Sequence, residues 1–115
     1  MNPLMNEGRL HRENTAHAGT GGVSGGNAGL GFRPAFLDSA TFSIYPSCFA
    51  DGRPAPFHLL DGLPDEVVAD RSSTGRVVSA KATLISGFER GGFFYTRMAA
   101  ARACAEWRPD LARQA

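Results

Sequence analysis

Val77 to Trp107, VVSAKATLISGFERGGFFYTRMAAARACAEW, constrains the fold of this chain more than any other stretch. Val78, Ala80, Ala82 and Leu84 fall on one side of a two-residue period, with Ser79, Lys81 and Thr83 on the other. That alternation predicts a half-buried strand with the first set facing the core. Glu89-Arg90-Gly91-Gly92 supplies a tight reversal, because two glycines accept positive φ at little cost, and Phe93-Phe94-Tyr95 returns as the second strand of a hairpin. Thr96 then offers a hydroxyl cap to an alanine-rich segment that predicts a helix from Arg97 to Trp107, stopped by Pro109. On that helix Ala100, Ala103, Cys104 and Trp107 gather on one side, opposite Arg102 and Glu106. Small side chains on this face let the helix sit close to a sheet, with Trp107 expected as its one large buried anchor.

The rest of the 115 residues divides by texture. Residues 1–31 hold seven glycines among Asn, Ser, Thr and Ala after position 18 and few large apolar side chains, a composition that predicts a flexible Gly-rich tail. The glycine spacing from Gly19 is not a phosphate loop: Ser24 stands where a third glycine belongs, no strand precedes it, and no lysine follows. Residues 32–108 then read as a small β-rich domain, and 109–115 as a short C-terminal extension. Phe32 to Leu37 and Phe42 to Pro46 predict two strands around Asp38-Ser39-Ala40-Thr41, with Pro34 and Pro46 at strand ends or edges. Two Asp-Gly-x-Pro turns follow at Asp51 and Asp61, and a strand from Glu66 to Arg71 pairs through Ser72-Ser73-Thr74-Gly75 with a strand from Arg76 to Ser86. The fold class is therefore α+β: an antiparallel β-meander of four to six short strands with one C-terminal helix packed on the sheet.

Charge and cysteine content narrow the function classes. The net charge of +1 is spread as 0 over 1–31, −1 over 32–64, 0 over 65–95 and +2 over 96–115, too little for a strong basic field. Eleven of the twelve basic residues are Arg, which together with abundant Ala and Gly reflects a GC-rich coding sequence rather than a phosphate-binding surface. Two cysteines define neither a disulfide scaffold nor a four-thiolate metal site. The absence of a long apolar run and of a secretory leader points to a cytoplasmic chain with reduced thiols and no membrane partner.

Candidate chemistry is sparse. Cys48, Asp51, His58 and Asp61 lie near one another in sequence, but their spacing matches no ligand motif; Cys48 reads as a small buried apolar residue, the two aspartates as turn residues, and His58 as structural or partly exposed. Asp65 and Glu66 are adjacent, which on a strand turns them to opposite faces. No cofactor, metal or catalytic constellation is expected. Arg90, Arg97, Arg102 and Arg108 form the candidate partner-binding set, since Arg97 and Arg108 fall on one edge of the helical wheel. The basic charge there is sparse for a nucleic-acid footprint, which leaves a weak nucleic-acid-binding module as the alternative and a small enzyme behind it.

Gly31-Phe32-Arg33-Pro34-Ala35-Phe36, the segment ADGRPAPFHLLDGLPD from Ala50 to Asp65, and Ser86-Gly87-Phe88 to Phe94-Tyr95-Thr96-Arg97 together resemble a group of small uncharacterised proteins of proteobacterial integrative elements and plasmids, over residues 31 to 107. That resemblance transfers no site residue. It implies a setting in which short cargo proteins serve transfer, regulation or counter-defence, and so a non-catalytic protein-binding accessory protein, of which an anti-CRISPR-like inhibitor of a host defence complex is one form.

Overall fold

The computed structural model describes residues 4–107 and is α+β, with two antiparallel sheets and a C-terminal helix. Seven strands occur among the described residues: β1 (Met5–Asn6), β2 (Arg33–Asp38), β3 (Ser43–Pro46), β4 (Val68–Arg71), β5 (Val77–Ala80), β6 (Leu84–Arg90) and β7 (Phe93–Thr96). Helix α1 spans Glu7–Ala16, the single turn α2 Ser24–Asn27, and α3 Arg97–Trp107. The strands do not run as one meander. One sheet has the order β1-β5-β4 and the other β3-β2-β6-β7, so β2 pairs with a strand half the chain away.

The C-terminal hairpin forms where the sequence places it. Arg90 pairs with Phe93 around Gly91 and Gly92, both at positive φ, and the Thr96 hydroxyl accepts from the Ala99 N–H at 3.0 Å to cap α3. The strand before it departs from the expected alternation. Val77 and Ser79 are buried and Val78 is half exposed, because the chain turns after Ala80, through a Leu84 N–H bond to Lys81 O, and restarts as β6. The apolar alternation from Val78 to Leu84 therefore joins two strands in different sheets, and its first member faces out. The two Asp-Gly turns also differ from each other. Gly52 has φ +91, whereas Gly62 is required for close approach, since a Cβ there would stand 2.6 Å from Cys48 O.

One face of the four-stranded sheet carries Pro34, Phe36 and Asp38 on β2 and, directly across on β6, Phe88, Ser86 and Leu84, with Phe32 just before β2. At one end Phe36 and Leu84 join Met5, Leu10, Leu60, Leu63, Val67, Val77 and Ala80 in a first apolar cluster. At the other, Phe32 and Phe88 pack with Ala100, Ala103 and Cys104 under α3. Ser86 lies on β6 between the two.

The flexible tail expected over residues 1–31 is corrected for the described part. Met5 and Asn6 pair with Ala80 and Ser79, Asn6 caps α1 by accepting from the Arg9 N–H at 2.8 Å, and Met5 and Leu10 are core residues. The glycines that suggested disorder serve contact instead. A Cβ on Gly21 would lie 2.5 Å from both Cβ and Sγ of Cys104, and one on Gly22 3.0 Å from Arg97 O, so only a bare backbone passes this close to α3. Arg108 and the 109–115 extension lie outside the described residues, and no described helix is long and apolar enough to cross a membrane.

Two outcomes follow from this packing. Removing residues 1–30 takes Met5 and Leu10 out of the first cluster, and the remainder should lose its cooperative thermal transition. Gly21→Ala, which overpacks against Cys104, should lower unfolding stability by about 1–3 kcal/mol in urea titrations.

Candidate functional site

Two features stand out from ordinary packing: a buried polar relay in the seam between the apolar clusters, and an aromatic–arginine stack at the surface. The relay centres on Arg97, the first residue of α3 and only 4% exposed. Its Nε donates to Ser86 Oγ at 3.0 Å, its Nη1 to Gly22 O at 2.9 Å, and its Nη2 to His58 Nδ1 at 3.2 Å. Ser86 in turn donates to a Glu13 carboxylate oxygen at 2.9 Å. The guanidinium also lies over the Phe88 ring, 5.9 Å from its centroid. Four segments distant in sequence thus converge on one cation: α1 through Glu13, the glycine segment through Gly22, the loop at His58, and β6.

This geometry fixes the state of His58. Arginine only donates, so Nδ1 must accept and the proton sits on Nε2, which donates to Gly87 O at 2.7 Å. The ring is wedged edge-on between Phe36 and Phe88, at 5.4 and 5.2 Å between centroids. Burial, and then the facing guanidinium, push the imidazole from 6.5 down to about 4. Burial also lowers Arg97, with Glu13 opposing, and raises the Cys104 thiol, which makes it a poor nucleophile. His58 and Ser86 do not form a nucleophile–base pair, because both imidazole nitrogens face other groups and the hydroxyl proton points at Glu13.

The residues grouped by sequence proximity do not converge. Cys48 bonds Pro46 O, Asp51 pairs with Arg53 at 2.7 Å, and Asp61 accepts from Arg76 at 3.3 Å, while His58 belongs to the relay. Among the described residues no group of three or more His, Cys, Asp or Glu could hold a metal ion.

Of the four candidate arginines, Arg97 is corrected from surface to core: its position at the start of α3 points it into the sheet seam, where Ser86, His58 and Gly22 use all three nitrogens. Arg102 is exposed on α3. Arg90 is at the surface, and it is ordered. Its Nε donates to Leu30 O at 2.9 Å and its guanidinium lies 4.8 Å from the Trp107 centroid and 5.8 Å from that of Phe32. Trp107 stacks on Phe32 at 5.9 Å and 13° but remains 44% exposed, so it is a lid on Phe32 rather than a buried anchor. Phe93, on the adjoining hairpin, is 71% exposed. Phe32 also lines a cleft of about 500 Å³ with Pro34, Pro46, Cys48, Pro54 and Ala55. Sequence reasoning missed the relay; the one available signal was that Arg97 falls within about 20° of Cys104 on the helical wheel, whereas Arg102 lies opposite.

No family model matches the chain, and no curated protein or solved structure matches it either.

Replacing Arg97 with Ala leaves Ser86 Oγ, Gly22 O and His58 Nδ1 facing an empty seam, and should cost about 3–5 kcal/mol of unfolding stability. Arg97→Lys should restore little, since a single ammonium cannot reach three separated acceptors. The His58 contribution has a definite sign. Its folded pKa lies below the unfolded value, so the unfolded chain takes up the proton first. Stability is complete above pH 6.5 and falls as pH drops toward about 4, by about 3 kcal/mol in total. In denaturant titrations across this window, His58→Gln should flatten that slope.

Proposed function

We propose that the protein is a non-catalytic binding protein that grips a protein partner through the face formed by Trp107, Arg90 and the proline-lined cleft beyond Phe32. The observation that carries this reading is the Arg90–Trp107–Phe32 stack. Trp and Arg are the residue types that most often anchor interfaces, and here both are held in place before any partner arrives, which reduces the entropy lost on binding. The adjoining cleft is lined mainly by apolar side chains and offers a pocket for a partner's side chain. The resemblance to cargo proteins of bacterial mobile elements supports a setting in transfer, regulation or counter-defence, with inhibition of a host defence complex, as by an anti-CRISPR, as the most specific form. In that setting the site of action is the cytoplasm.

The nucleic-acid alternative is weakened by the burial of Arg97. With that cation committed to internal acceptors, Arg90 and Arg102 are the exposed candidates left among the described residues. Two phosphate contacts give a shallow salt dependence and affinity no better than the non-specific range of about 10⁻⁴–10⁻⁶ M.

The test is affinity capture from a bacterial lysate with nuclease present and salt raised, comparing the natural chain with Arg90→Ala combined with Trp107→Ala. A specific protein should be retained by the first and lost by the second, while thermal stability falls only slightly because both side chains are on the surface. Retention that depends on nucleic acid, or a sequence-dependent shift of duplex DNA at physiological salt that is lost with Arg90→Ala and Arg102→Ala, would replace this reading with the nucleic-acid module.

A further inference from the structure

Between α1 and β2 the chain crosses α3 as a glycine strap, residues 17–27, whose Gly21 and Gly22 lie directly on the backbone of α3 and on Cys104. Most of the strap's hydrogen bonds are internal. The Thr20 hydroxyl donates to His17 O at 2.6 Å and accepts from the Gly22 N–H at 3.0 Å, the Gly26 N–H bonds Val23 O, and Asn27 Nδ2 donates to Gly21 O at 2.8 Å. What ties this self-contained unit to the rest of the domain by a charge-assisted bond is Arg97 Nη1, donating to Gly22 O.

Arg97 is held there by an arrangement with room for one proton state only. His58 Nδ1 accepts from Nη2 while Nε2 donates to Gly87 O, so an added proton must go to Nδ1, where it meets an N–H already pointing at it. The imidazole is 8% exposed and wedged between two phenylalanine rings, and it cannot turn away. The guanidinium is the partner that must move. The groups facing this pair are few. From α3 there is Arg97 itself. From α1 there is Glu13, reached through Ser86. From β6 come Ser86, Gly87 O and Phe88, and from β2 the Ala35 backbone, which favours the protonated ring, and Phe36. His17, at the start of the strap, packs against Gly22 and is the other imidazole in the neighbourhood.

We propose that the strap is an acid-released latch: proton uptake at His58 Nδ1 drives Arg97 off Gly22 O, the strap lifts from α3, and the small-residue face with Cys104 is uncovered. Cys104 is 5% exposed with the strap closed, and so its reactivity reports the opening. With the guanidinium gone, one of the two causes that hold the imidazole low is removed while burial between the rings remains, so the open population rises as pH falls from about 7 toward about 5, still above the ordinary carboxylate range.

The full chain is labelled with 4,4′-dithiodipyridine, which reacts with thiols in acid, and Cys104 is resolved from Cys48 by peptide mass spectrometry. Cys104 labelling, normalised to a free thiol, should rise several-fold from about pH 7 to about pH 5. His58→Gln should remove that rise and His17→Gln should leave it intact. A rise that persists in His58→Gln, or that vanishes in His17→Gln alone, overturns the proposal. Should His58→Gln not fold, amide hydrogen exchange on the natural chain decides. Protection lost selectively over residues 19–27 at the lower pH supports the latch, whereas unchanged protection, or equal loss across β2 and β6, overturns it.

Discussion

A single guanidinium holds this small domain in register. Arg97 lies where the two apolar clusters meet, and without it Ser86 Oγ, His58 Nδ1 and Gly22 O, from three different parts of the chain, would lose the donor they share, while Glu13 would keep Ser86 and its ion pair with Arg9. Burying a cation costs several kcal/mol in desolvation, and the return comes only if every nitrogen finds an acceptor at good geometry. Here Ser86, Gly22 and His58 accept from Nε, Nη1 and Nη2, and Glu13 supplies the counter-charge through one hydroxyl. A planar fork with donors in fixed directions can do this, and a lysine cannot. The consequence is specificity more than strength: the apolar clusters would tolerate small slips, whereas the polar seam closes only when α1, the glycine strap and β6 are all in place.

The parts of this fold that could be read from the sequence are those whose signal is local. The hairpin at Gly91-Gly92, the Thr96 cap, the helix to Trp107 and the Ser72–Gly75 turn are each decided by residues within a few positions of one another. The errors share a different cause. The run from Val78 to Leu84 alternates convincingly, but it spans a change of sheet at Ala80, and periodicity carries no information about where a strand ends. Residues 5–31 illustrate a deeper ambiguity. Glycine enriches both in segments too poor in side chains to fold and in segments that must touch another backbone, and composition alone cannot separate the two. The deciding fact is Cys104 beside Gly21, a contact across more than eighty positions.

The same limit explains the arginines. On a helical wheel Arg97 falls beside Cys104 at the edge of the small-residue face while Arg102 lies opposite, but the charge of each gives the default of a residue facing water. Arg97 sits at the first turn of α3, however, directly after β7, and the hairpin that aims the helix onto the sheet also aims this side chain into the seam. Arg90 shows the converse. It stays at the surface, but Leu30 O and two aromatic rings fix its position, so an exposed cation has the order usually reserved for buried ones.

Phe32 connects the interior to the outer face. It packs edge-on against Phe88 and Tyr95 within the cluster beneath α3, carries Trp107 and Arg90 on its outer side, and borders the proline-lined cleft. Phe88 in turn lies under the Arg97 guanidinium and against the His58 ring. A continuous stack of rings therefore runs from the buried relay to the exposed Trp107. Phe88 thus touches both the relay and Phe32, and Phe32 in turn borders both the core and the outer face.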